Sequence, residues 1–159
     1  MRILLAFAIL LSALSIASAQ TRKPTAKEVA AIQNCASKYQ DDGNVEDGVR
    51  ECVFKLVADP CTQMPQNMST QATADCYRVE WSIWDNLLNE KFKRLLSVLD
   101  NQQTAKLRAM QQAWIAYRDT TCNFYMDKIQ GTMAIPMGAA CAVRETARRA
   151  MLLDAFMQM

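Results

Sequence analysis

CYRVEWSIWDNLLNEKFKRLLSVLD, residues 76–100, carries large apolar side chains at Tyr77, Trp81, Trp84, Leu88, Phe92, Leu95 and Leu99. Steps of three and four place these on one stripe of an α-helix, so the spacing predicts one long amphipathic helix over residues 70–99. The rhythm resumes after Asp100 at Leu107, Met110, Trp114, Tyr117, Thr121 and Tyr125, predicting a second long helix that ends near Ile129. Asp100 is placed to cap it, with Gln103 at the third helical position reaching back. Two such helices across a short turn pack antiparallel. The expected fold class is therefore all-α: a small disulfide-stapled helical bundle with two long antiparallel central helices. Only four glycines and four prolines in 159 residues leave little room for other architectures.

Working outward, Thr25 and Glu28 form the pattern of a capping box and open a helix running to about Tyr39. Asp41-Asp42-Gly43-Asn44 reads as a turn. A helix from Asn44 or Val45 is expected to carry Cys52, Phe54, Leu56 and Val57 until Asp59-Pro60 stops it. Beyond Ile129, residues 131–138, with glycine at both ends and Pro136 inside, read as a break. A last helix then carries Ala139, Val143, Thr146, Ala150, Leu153 and Met157.

The six cysteines are Cys35, Cys52, Cys61, Cys76, Cys122 and Cys141. Cys35 and Cys52 lie eight and nine residues from Gly43, so an antiparallel hairpin brings them level and pairs them. Cys61 with Cys76 ties the Pro65 loop to the start of the long helix, and Cys122 with Cys141 encloses the 131–138 break. Zinc is disfavoured because the chain has no histidine and no Cys-x2-Cys pair to grip a tetrahedral ion. Dithiol redox chemistry lacks its Cys-x-x-Cys motif for the same reason of spacing. No metal and no cofactor are expected.

Residues 1–19 have the form of a secretory signal peptide. Met1-Arg2 precedes an apolar run from Ile3 to Ile16, too short to span a bilayer comfortably, and Ala17-Ser18-Ala19 offers the small side chains that signal peptidase accepts. Cleavage before Gln20 is expected, with export to the periplasm or medium, where disulfides persist. Gln20 stands where a lipoprotein has cysteine, so no lipid anchor and no stable membrane insertion after cleavage are expected. Cleavage removes one of the 18 basic residues, Arg2, and none of the 16 acidic ones, which leaves a near-neutral chain without the charge excess of a nucleic-acid partner.

Polar residues interrupt or flank the two long apolar stripes: Glu80, Asp85 and Asn89 on the first helix, and Gln111, Arg118 and Asp119 on the second. They are expected to form one hydrogen-bonded network between the packed helices, with Arg118 held by a carboxylate of its neighbour. They also carry a resemblance. Cys76-Tyr77-x-x-Glu80, Trp84-Asp85-x-x-Leu88-Asn89-x-x-Phe92 and Gln111-x-x-Trp114-Ile115-x-Tyr117-Arg118-Asp119-x-x-Cys122 follow in order. Gly131-Thr132, Cys141 and Thr146-x-x-Arg149-x-x-x-Leu153 continue the pattern. Over about residues 61–153 the chain resembles the lysozyme inhibitor LprI-like N-terminal domain family. It departs from that pattern at Phe92, where tyrosine is usual, and at Gln112, where a basic residue is common. Residues 20–60 fall outside the resemblance and read as an N-terminal helical hairpin extension to an LprI-like helical domain of residues 61–159.

The resemblance implies an extracytoplasmic helical domain and, from the family's name, inhibition of a lysozyme. The expected function is that of a secreted or periplasmic binding protein, not an enzyme, with a lysozyme or another envelope protein as partner. Catalysis lacks its parts: there is no histidine, no Gly-x-Ser-x-Gly and no base placed to activate a serine, and Glu80 with Asp85 does not by itself make a glycosidase. The disulfide-closed break is the candidate binding segment, through Gly131, Thr132, Met133 and Ile135, with Lys128 beside it. The alternative is a structural or accessory envelope protein that docks through methionines of the last helix, Met151, Met157 and Met159.

Overall fold

The computed structural model describes residues 21–40 and 44–159. The expected signal peptide, its cleavage site and Asp41, Asp42 and Gly43 of the expected turn lie outside the described residues. Six α-helices follow one another without a strand among those residues: α1 (Ala26–Ala36), α2 (Val45–Cys52), α3 (Ala58–Thr62), α4 (Thr70–Val98), α5 (Asn101–Ile129) and α6 (Ala134–Gln158). Short 3₁₀ turns cover Ser37–Tyr39 and Pro65–Asn67. Among the described residues no helix is long and apolar enough to cross a membrane.

The helix starts follow local chemistry. Thr25 accepts the Glu28 amide while Glu28 accepts the Thr25 amide, and Asp100 and Gln103 exchange the same two bonds at the head of α5. Asn44 accepts from the Asp47 amide and Ser69 from the Ala72 amide, satisfying donors that have no intrahelical partner.

Three boundaries differ from expectation. The second helix stops at Cys52, and Phe54 takes a left-handed backbone with φ of 70°. Pro60 does not end a helix: it sits at the third position of α3, where a missing N–H costs nothing. Pro136 occupies the same place in α6, so that helix begins at Ala134 and absorbs most of the anticipated break.

The three disulfides join Cys35 with Cys52, Cys61 with Cys76 and Cys122 with Cys141. The Trp81 Nε1–H donates to Thr146 Oγ1 at 3.1 Å, and Lys91 Nζ meets Asp154 Oδ2 at 2.6 Å. These contacts advance together along both helices, so α4 and α6 run parallel, while the Cys122–Cys141 and Gln111–Arg149 contacts show α5 running antiparallel to α6. Both 29-residue helices pack against α6. Thirteen of the 25 residues of α6 are buried but only three of the 29 in α5, which makes α6 the hub and α5 an outer helix. The apolar stripe expected on α5 is accordingly split: Leu107 is buried, whereas Met110 and Tyr117 face solvent.

On α4 the expected Trp84, Leu88 and Leu95 are buried, and Val79, Ile83 and Leu87 join them because α1 to α3 cover a second flank. Ile32, Val49, Val53 and Val57 belong to the same hydrophobic cluster as Trp84 and Leu153. The segment ahead of Cys61 thus shares the core of the rest of the chain.

Candidate functional site

The connection between α5 and α6 shrinks to residues 130–133. Gln130 ends α5 in the left-handed region, with φ of 50°, and the Ala134 and Ile135 amides bond back to the Gly131 and Thr132 carbonyls. The expected irregular segment of residues 131–138 is therefore a tight turn plus the first turn of a helix. Its position is nevertheless prominent. Gly131, Thr132 and Met133 are exposed, as is Lys128 on the last turn of α5, and Ile135 is half-buried. Phe124, Met126 and Met137, which the periodicity did not single out, join Met133 as exposed apolar side chains near this end of the hairpin. The Cys122–Cys141 bond locks it, and a Cβ on Gly138 would stand 3.2 Å from the Cys122 carbonyl oxygen, so the helices approach closely there.

Beside the tip opens a cleft of about 490 Å³ between α4, α5 and α6, lined among others by Arg78, Trp81, Arg118, Asp119, Met126 and Ile135. The expected single network of polar residues is not formed. Asn89 donates to Asp85 at 3.0 Å along α4, and Arg118 Nε donates to Asp119 at 2.8 Å along α5. The carboxylate that holds Arg118 belongs to its own helix because the cleft separates α5 from α4 at this level. The Arg118 guanidinium also lies 4.9 Å from the centre of the Trp114 ring, a cation–π contact. Gln111 turns to α6 and accepts from Arg149 Nε at 2.9 Å.

Glu80 points away from the cleft. Its side chain is fully buried and accepts from the Phe54 amide at 2.8 Å, the Ala58 amide at 2.9 Å and Trp84 Nε1 at 3.1 Å. Burial pushes the carboxyl above its ordinary range, and the three donors counter that only in part. With both oxygens committed to N–H groups, Glu80 fastens the turn between α2 and α3 and is not presented to a ligand.

Two buried ionic features were missed. Lys91 and Asp154 form an ion pair across α4 and α6 with both side chains buried. Arg149 is buried against Trp114 and Gln111, its Nη2 without a hydrogen-bond partner among the described residues, and burial lowers the affinity of its guanidinium for the proton. A signal existed for the first, since Lys91 falls three residues after Leu88 and four before Leu95, on the apolar stripe itself. Of the C-terminal methionines considered for the accessory role, Met151 is buried, with a Cβ on Gly48 of α2 falling 2.7 Å from its sulfur, Met157 packs partly buried against the core, and Met159 is exposed.

All six cysteines are bonded, and no cluster of three metal-binding side chains occurs among the described residues. The family model described as Lysozyme inhibitor LprI matches residues 61–153, from α3 through α6. No curated protein and no solved structure matches the chain.

Proposed function

Since the chain belongs to the lysozyme inhibitor LprI family, we propose that it is an extracytoplasmic, non-enzymatic binding protein that inhibits a lysozyme by seating the α5–α6 tip in the partner's substrate cleft. The observation that carries this reading is the tip itself: Met133, 55 % exposed, stands with Thr132 on a short turn clamped by Cys122–Cys141. An apolar side chain on a turn held rigid before binding loses little conformational freedom on insertion, which is how preorganised inhibitors gain affinity. The three disulfides favour an oxidising compartment, reached through cleavage after Ala19.

Changing Thr132, Met133 and Ile135 together to Ser keeps the length of the turn and removes its apolar contacts. Stoichiometric, reversible inhibition by the wild type should weaken at least tenfold in this variant, about 1.4 kcal/mol, while its melting curve stays cooperative. Inhibition unchanged by the triple substitution transfers the contact to the surface around Asp119 and Lys128. A wild type that inhibits no lysozyme type removes the reading altogether.

The second reading, an accessory envelope protein, draws on α5. Met110, Tyr117 and Phe124 recur every seven residues on its outer side and are all exposed. A heptad of exposed apolar side chains suits a helical partner laid along α5.

A further inference from the structure

The cleft beside the tip does not end at Arg78 and Trp81. A second opening of about 590 Å³ shares both residues and continues along α4 past Ser82 and Asn86 to Arg22 and Lys23 of the segment ahead of α1. The two together form one trough running from the tip to the head of α1. Its walls carry four cations, Arg22, Lys23, Arg78 and Arg118; Glu28, Asp75 and Asp119 each meet one of the three arginines, which leaves a modest positive balance carried by Lys23 and by guanidinium N–H groups still open to a ligand.

Several of these groups are held in place from behind. Thr21 donates to Asp75, and Arg78 Nη1 donates to the same carboxylate at 2.6 Å, which ties the N-terminal segment and the guanidinium to α4. Arg22 is anchored by Glu28. One carboxylate contact through Nη1 leaves Arg78 with further N–H donors in a side chain 41 % exposed. Trp81 has its indole N–H committed to Thr146, so its ring is fixed where the two openings meet. Asn86 and Asn123 add amides on either side of it.

We propose that this trough is a binding site for an acidic oligosaccharide, a chain of pyranose rings bearing carboxylates. An indole face accepts the apolar side of a sugar ring, amides bond its hydroxyls, and guanidinium and ammonium groups spaced along a groove meet carboxylates repeated along a chain. This site adjoins the proposed lysozyme contact at Ile135 but recognises a different chemistry, the carboxylates and ring faces of a sugar chain.

Isothermal titration of the exported chain with tetragalacturonic acid tests it, with a neutral chitin tetramer and a hexaglutamate peptide as comparison ligands. The acidic sugar should bind, weaken several-fold when salt rises from about 20 to about 200 mM, and outcompete both others. Lys23→Gln, on an exposed side chain, and Arg78→Gln should each weaken it about three- to tenfold while lysozyme inhibition stays at the wild-type level. A Thr132→Ser, Met133→Ser double variant, which leaves Ile135 of the trough wall in place, should still bind the sugar. Absence of binding, hexaglutamate binding as tightly as the sugar, or wild-type affinity in both glutamine variants overturns the proposal.

Discussion

The carboxyl group of Glu80 accepts three N–H groups away from water, two of them from the turn between α2 and α3. Glutamine in its place keeps the shape but turns an amide donor toward one of those donors, at a cost of about 2 kcal/mol. Urea melts of wild type and Glu80→Gln should show it, and the gap should depend on pH. Burial raises this carboxyl above 4.5, so its contribution is fully present below that value and is lost as pH rises through the folded pKa. The wild type's advantage over Glu80→Gln should therefore shrink as pH climbs from 4.5. Glu28 has the opposite sign: its hydrogen bond to Arg22 holds it down to about 2, so its contribution exists above 4.5 and is lost as pH falls toward about 2. Lys91 and Asp154 give a second test. Asp154→Ala strands a buried ammonium and should cost about 3 to 5 kcal/mol, whereas replacing the pair together by Lys91→Met and Asp154→Leu should recover most of that loss. A double variant no better than the single would show that the pair is solvated.

At the scale of elements, caps and periodicity carried most of the reading. Both capping boxes, the span of α4 and the end of α5 follow from residues a few positions apart, and local sequence reports local geometry well. The departures share a different origin. Phe54 takes its left-handed backbone because Glu80, 26 residues away, draws the neighbouring amides inward, and no short-range pattern encodes that. Pro60 and Pro136 carry no sign of which side of a helix end they occupy, because proline is equally at home in a first turn and after a last one. On α5 several apolar stripes coexist, and periodicity alone does not say which meets α6. Gly48 shows the same limit from the other side. Glycine weakens a helix by about 1 kcal/mol relative to alanine, so α2 alone would be improved by Gly48→Ala. A Cβ there, however, stands 3.1 Å from the Tyr39 Cβ and closer still to Met151. Overpacking of about 1 to 3 kcal/mol should outweigh the helical gain, giving a lower thermal midpoint for Gly48→Ala. A higher midpoint would mean that Met151 moves aside at little cost.

For the molecule as a whole, the family match and the fold draw different boundaries. The match begins at Cys61, yet Ile32, Val49, Val53 and Val57 lie in one cluster with Val79, Trp84 and Leu153. The trough crosses the same boundary, since Arg22 and Lys23 come from before it and Arg78 and Arg118 from after it. This is why the candidate sites were only half visible in the sequence. The tip is contiguous and could be read from Gly131 to Ile135, whereas the trough gathers residues from the segment ahead of α1 and from α4 to α6, whose neighbourhood exists only after packing. A chain of residues 61–159 should accordingly fail to fold on its own, although it holds the entire matched span and two disulfides. It would uncover Trp84 and the apolar cluster around it and strip the Glu80 carboxyl of its Phe54 and Ala58 donors, a combined loss that the roughly 5 to 15 kcal/mol stabilising a typical domain does not absorb with safety. Near-ultraviolet circular dichroism and a thermal melt of the fragment beside a chain of residues 20–159 decide it. The expected outcome is weak aromatic dichroism and a broad, uncooperative transition, with helical far-ultraviolet signal partly retained by α4 to α6. A sharp melt within a few degrees of the longer chain would show instead that the segment ahead of Cys61 is an accessory layer on a self-sufficient α4–α6 unit.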